Sequence, residues 1–241
     1  NKPLAEDVSL ENIAAQTFGF SGAQLESLMN EAAVYAMREG SGTIGEKHLQ
    51  MGIDKVLMGE MTDREAAAEE RERVAIHELG HAIVAETVRP GSVSQVALSP
   101  RGEALGYVRH HPPADRYLYT KRQLEDQILI AVGGAAAEEL FYGERSTGSR
   151  ADFEQALGLV RTMIDAGLTD LGIVDSRMLT KEAYREANRR ILDRLAERAR
   201  EMLMERRDAF ERVLSELLRE ETLSGDAFRA LLRGETLQPS A

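Results

Sequence analysis

The chain has 241 residues, 43% of them hydrophobic and 5% aromatic, with no Cys or Trp and a formal net charge of −11. Such a chain can bury one large core or two modest ones. The acidic balance argues against nucleic acid as the main partner, and the absence of Cys excludes disulfides and thiolate metal ligands. No apolar run approaches the roughly 18–20 residues of a membrane span. The first residue is Asn1 and no signal-peptide pattern follows, so a fragment of a longer protein is expected.

Residues 10–58 predict a small helical unit. Ser21 is a good N-cap for a helix over 22–38, with Leu25, Leu28, Met29, Ala32, Ala33 and Ala36 on its inner side. Gly40-Ser41-Gly42 ends it, and a further helix is expected over 45–57. Residues 59–73 are polar and dense in Glu and Arg, a linker that becomes the first turns of the next helix. That helix runs over 73–88, with Val74, His77, His81, Val84 and Val88 on one line at spacings of three and four. Arg89-Pro90-Gly91 stops it.

After that the period changes. Val93, Val96 and Leu98, then Ala104-Leu105-Gly106-Tyr107-Val108, predict two short strands separated by Pro100-Arg101-Gly102, and His110-His111-Pro112-Pro113 breaks the second. A helix is expected over 120–142. Gly133 and Gly134 inside it cost about 1 kcal/mol each against Ala, so close packing is expected to compensate. A loop over 143–150 leads to a helix over 151–166, with Phe153, Ala156, Leu157, Val160 and Ile164 inward. Residues 180–232 read as largely helical and rich in Arg, Glu and Leu. The fold class is mainly α with a small β-sheet.

One short motif carries chemistry: His77-Glu78-Leu79-Gly80-His81. Imidazoles four residues apart on a helix lie one turn apart on one face, so both reach one metal ion. The intervening Glu points about 100° round the helix, where a general base stands beside a metal rather than on it. With 5 His and 29 Glu in the chain, chance supplies this pattern roughly 0.01 times. The alternative, two His as polar fillers of a core-facing helix, requires other hydrogen-bond partners for both rings.

Catalytic zinc takes three protein ligands and keeps one position open. Ala82-Ile83-Val84-Ala85-Glu86 lacks the Gly and third His of the metzincin extension. Glu138 and Glu139 are candidates, as a ligand, as hydrogen-bond acceptors for the His rings, or as plain surface charge. His110 and His111 are further candidate ligands, but their position between a strand end and two prolines predicts a loop. Asp152 opens a helix and is either a ligand or only a favourable charge at that helix end. Composition alone does not choose between Asp152 and Glu139.

Several blocks together resemble one family, the FtsH-type AAA-plus zinc metalloproteases. Gly19-Phe20-Ser21-Gly22-Ala23-Gln24-Leu25 with Asn30-Glu31-Ala32-Ala33 resembles the lid subdomain of that family's ATPase module, and Asp54-Lys55-Val56-Leu57-Met58-Gly59 its exit into the protease. The histidine motif, Ala104-Leu105-Gly106-Tyr107, the run Gly133 to Glu139, and Thr147-Gly148 followed by Ala151-Asp152-Phe153-Glu154-Gln155-Ala156 are similar to its protease blocks. The similarity covers residues 10–232. It departs at Leu79, where the family has Ala, and at Ala151, where it has Asn.

The resemblance implies a helical lid subdomain over 1–59, a linker over 60–72, a mostly helical zincin-type protease domain over 73–234, and a tail over 235–241. It implies one Zn²⁺ per subunit on His77, His81 and Asp152, with Glu78 as the catalytic base. It also implies a substrate strand at Leu105, Gly106, Tyr107 and Val108, outer hydrogen-bonding roles for Glu138 and Glu139, and nucleotide-proximal positions at Gly22 and Ala23. The implied activity is endopeptidase cleavage of unfolded or membrane-extracted proteins, driven by ATP in the full-length protein. The implied assembly is a homo-hexamer anchored to a membrane through an N-terminal segment, with this part in the cytoplasm or an organelle matrix. No G-x-x-x-x-G-K-[ST] occurs, so ATP and Mg²⁺ are not expected to bind this chain. The competing expectations are a catalytically silent ring-forming subunit and a helical scaffold built on the Arg/Glu helices after Lys181.

Overall fold

The computed structural model of the chain describes residues 2–60, 67–98, 105–111 and 118–235. Residues 61–66 of the expected linker, Pro100-Arg101-Gly102, Ala104, Pro112-Pro113 and nearly all of the tail lie outside the described residues.

The chain divides into two compact units. In the first, α1 (Leu10–Gln16), α2 (Gly22–Arg38) and α3 (Glu46–Met58) enclose a small core of Ile13, Leu28, Ala32, Ala36, Ile44, Leu49 and Ile53. Ser21 starts α2 with a reciprocal cap: its Oγ accepts from the Gln24 backbone N–H, and the Gln24 side chain accepts from the Ser21 N–H. Leu25 was expected inward but is 41% exposed. It lies in the first turn of α2, and the buried line begins at Leu28.

The second unit holds α4 (Ala68–Val88), β1 (Val93–Ala97), β2 (Tyr107–His110), α5 (Lys121–Tyr142), α6 (Arg150–Asp165), α7 (Lys181–Met204), α8 (Arg207–Glu220), β3 (Thr222–Ser224) and α9 (Gly225–Leu232). α4 begins five residues before the predicted start, because the Glu-rich segment expected as linker suits a first helical turn. α4 and α5 form the centre of this unit and are buried on several sides, not along one stripe. They meet backbone to backbone. A Cβ on Gly80 would lie 2.4 Å from the Gly133 carbonyl oxygen, and one on Gly133 would lie 2.8 Å from the Gly80 carbonyl oxygen. This approach offsets the helix propensity given up at Gly133.

α6 and α7 pack on α5, and α8 packs on α4. The Phe141 and Phe210 rings, 4.6 Å apart, join α5 to α8. On α6 the buried positions are Ala156, Val160, Met163 and Ile164, while Leu157, expected inward, faces solvent. The small sheet is antiparallel with order β2-β1-β3. β3 was not anticipated, since three residues inside a helical run carry no readable alternation. The chain enters it through Glu221, whose left-handed backbone (φ 61°) ends α8. β1 is the only strand paired with β2 among the described residues, so β2 lies at a sheet edge.

Candidate metal centre

The two histidines of the motif lie on α4, with ring centroids 4.6 Å apart and nearly perpendicular planes. Their Nε2 atoms face each other at 3.0 Å. Each Nδ1 has its own acceptor on α5. His77 Nδ1 lies 2.8 Å from Glu138 Oε1, and His81 Nδ1 lies 2.7 Å from the Ile130 carbonyl oxygen. A carbonyl only accepts, so His81 Nδ1 donates. Glu138 is a carboxylate: burial opposes its charge, but Arg73, Ser146 and His77 outweigh it and hold its pKa below the usual value. His77 Nδ1 therefore donates as well, which leaves the Nε2 lone pair of both neutral rings pointing at one spot.

Asp152, in the first turn of α6, brings Oδ2 to 3.2 Å from His77 Nε2 and 3.6 Å from His81 Nε2. Burial works against its charge, yet the two imidazoles keep its carboxyl well below the ordinary range. Three acceptor atoms thus converge in a largely buried place, an arrangement that requires a cation. Without a metal the cation is a proton: burial pulls His77 down, but Asp152, Glu78 and Glu138 push it up to about 8. Two imidazole nitrogens and one carboxylate oxygen, with the far side of each ring hydrogen-bonded, are a donor set that suits zinc.

The partners are arranged by helix period. Arg73, His77 and His81 are spaced by four along α4, and Ile130, Gly134 and Glu138 are spaced by four along α5, so two stripes face each other. Glu138 is 1% exposed and also accepts from Arg73 Nη1 at 3.0 Å and Ser146 Oγ at 2.9 Å. Glu139, one residue on, points away from the rings to Arg145. Ala151 is exposed, and Leu79 is fully buried in the core. His110, expected in a loop, is instead the last residue of β2, paired with Val93, and is exposed.

Glu78 does not join the three converging atoms. Burial pushes its carboxyl up, while His81 and His77 pull it back only in part. Gly106 packs against its side chain: a Cβ on Gly106 would lie 2.9 Å from Glu78 Cγ. The start of β2 at Tyr107 therefore adjoins the Glu78 side chain, with Val108 next along that edge strand and Leu105 just before Gly106. Gly22 and Ala23 are the exposed first residues of α2 in the first unit. Sequence reasoning missed three members of the centre. Arg73, four residues before His77, was legible from spacing; the Ile130 carbonyl and Ser146 carried no local signal.

The family model of the AAA+ lid domain matches residues 7–51. "ATP-dependent zinc metalloprotease FtsH" of Thermotoga maritima is 37% identical over 259 residues, covering 98% of this chain and 42% of the relative. The protein of the same description from Thermus thermophilus is 37% identical over 257 residues, covering 98% and 41%. "ATP-dependent zinc metalloprotease FtsH 1" of Methylacidiphilum infernorum is 38% identical over 257 residues, covering 96% and 40%. The chain spans about two fifths of the length of these relatives. The model of Peptidase family M41 matches residues 64–186, more than half of the chain and the whole stretch from the histidine pair to the carboxylate of α6, and the chain belongs to that family.

Proposed function

We propose that residues 73–234 form a zinc-dependent endopeptidase that cleaves unfolded polypeptide, with His77, His81 and Asp152 holding one Zn²⁺ and Glu78 acting as general base. The observation that carries this reading is the convergence of two Nε2 atoms and one carboxylate oxygen within 3.0–3.6 Å, both Nδ1 atoms being engaged elsewhere. Zinc, when bound, supplies a Lewis acid that polarises the scissile carbonyl and acidifies water.

The remaining steps belong to the chain. Glu78 accepts a proton from the attacking water at its carboxylate and delivers it to the departing amine nitrogen. Its burial supports this role, because it pushes the carboxyl up and so favours holding the proton between the two transfers. Glu138 and the Ile130 carbonyl keep the Nδ1 protons in place, so the Nε2 atoms stay available. β2 lies at the edge of the described sheet with its start beside Glu78, and an extended substrate binds there by strand addition through Gly106, Tyr107 and Val108. Such binding reads main chain more than side chains, which suits cleavage of many unfolded sequences.

In the full-length protein we place residues 1–59 as the lid of an ATPase module, with Gly22 and Ala23 near the nucleotide and ATP driving unfolding and translocation. This chain alone lacks the phosphate-cradle motif and is expected not to bind ATP or Mg²⁺. A hexameric ring and a membrane anchor outside this chain complete the proposal. No helix among the described residues is long and apolar enough to cross a membrane.

The test is a pair of variants on a casein substrate with zinc content measured in parallel. Glu78→Gln keeps zinc and loses about 10²–10⁴-fold in turnover, whereas Asp152→Ala loses both. Normal cleavage by Glu78→Gln refutes the assigned base, and full zinc content in Asp152→Ala refutes the ligand set.

A further inference from the structure

Gly134 sits midway along the α5 stripe, between the Ile130 carbonyl that accepts from His81 and the Glu138 carboxylate that accepts from His77. It is buried, and its backbone is ordinary α-helix, so nothing about its conformation calls for glycine. The space around it does. A Cβ there would lie 2.6 Å from His77 Nε2, 2.6 Å from His77 Cε1 and 2.6 Å from His81 Nε2. These include the two nitrogens that converge on the cation. Gly133 next to it serves another purpose, since its Cβ would meet the Gly80 backbone.

We propose that Gly134 is a positioning residue of the metal centre: the absence of a side chain is what allows both imidazoles to turn their Nε2 atoms to a common point while their Nδ1 protons stay on α5. Contacts of 2.6 Å to carbon are not tolerated, so a methyl group at this position forces the rings to rotate. Rotation takes Nδ1 off Glu138 and off the Ile130 carbonyl, and it separates the two Nε2 atoms. Helix formation itself favours Ala over Gly, and rings can rotate where backbone cannot yield, so the fold survives and the metal geometry does not.

The inference rests on the zinc reading above, and the experiment separates the two. Zinc affinity of the 241-residue chain is measured by chelator competition for the parent, Gly134→Ala, Gly133→Ala and His77→Ala, and the visible spectrum of the Co²⁺-loaded proteins is recorded. The parent is expected to bind one zinc and His77→Ala to lose it. A parent that binds none overturns the zinc reading and this inference together. Gly134→Ala is expected to bind zinc at least about 100-fold more weakly and to lose the intense visible bands of a low-coordinate Co²⁺ site. Gly133→Ala, whose Cβ would meet backbone and no ring atom, is expected to lose more stability than Gly134→Ala and less zinc affinity.

Zinc binding by Gly134→Ala within threefold of the parent, with an unchanged Co²⁺ spectrum, overturns the inference alone. So does an equal loss of zinc in Gly133→Ala, which would trace the effect to helix packing. If Gly134→Ala does not fold, the substitution is repeated on a His77→Ala, His81→Ala background. Recovery of folding there supports the collision with the rings, and continued failure to fold overturns it.

Discussion

Glu138→Gln separates the charge of the buried carboxylate from its shape. The parent side chain accepts three donors, His77 Nδ1 and Ser146 Oγ on Oε1 and Arg73 Nη1 on Oε2. Gln has one acceptor oxygen. If that oxygen faces His77 and Ser146, its NH₂ group opposes the Arg73 guanidinium, donor against donor. If it faces Arg73, the NH₂ opposes His77 Nδ1 and favours the tautomer whose proton sits on Nε2, where a metal would bind.

Breaking a buried ion pair by removing one partner costs about 3–5 kcal/mol. Arg73 is 27% exposed and water recovers part of that, so about 2–3 kcal/mol of stability is expected to be lost. Zinc affinity is expected to fall about 10–100-fold. Urea unfolding of the metal-free chain reads the first effect, and chelator competition reads the second. Glu139→Gln is the control: its partner Arg145 is on the surface, so a change within about 0.5 kcal/mol and unaltered zinc binding are expected. If Glu138→Gln behaves like Glu139→Gln in both assays, the buried carboxylate does not set the histidine tautomer and the donor-set argument fails.

Zinc binding at pH 7 is expected to release ~1 proton, because His77 in the metal-free chain is pushed up to about 8; calorimetry in buffers of different ionisation enthalpy measures it, and no buffer dependence would contradict it. The stability of the metal-free chain follows the same groups. His77 is raised above its ordinary 6.5, so its contribution is complete below that pH and is lost as pH rises through about 8. Asp152 is lowered from 3.8, so its contribution is present above that pH and is lost as pH falls below it. A stability plateau between these limits is expected in pH-dependent thermal melts, and in His77→Gln the plateau is expected to lie lower and to lose the alkaline decline that ends near pH 8. Gly80→Ala places a carbon 2.4 Å from the Gly133 carbonyl oxygen, and the strain of parting α4 from α5 is expected to cost about 3 kcal/mol in urea titration.

The helices and the zinc-motif turn were legible because each depends on neighbours three or four residues away. Ser21 with Gln24, the i and i+4 histidines, and Arg89-Pro90-Gly91 after α4 express themselves locally, and the observed elements begin or end there. Leu25 and Leu157 show the limit, since an apolar residue on a plausible face is buried only if another element arrives to cover it. β3 shows another, since its three residues become a strand only by pairing with β1.

Within the centre, local spacing brought two rings to one face of α4 and turned Glu78 away from them. It did not decide which carboxylate would meet them. Asp152 lies 75 residues from His77 and Glu138 lies 61 away, and both were candidates for the same place. Packing settled their positions: α6 turns Asp152 toward the Nε2 side, while α5 delivers Glu138 to the Nδ1 side. The glycine contact between α4 and α5 brings the Ile130 carbonyl and the bare surface of Gly134 up to the rings. A backbone oxygen and a missing side chain have no signature in sequence, because what they do depends on how closely two helices approach, and that distance is set by the whole core.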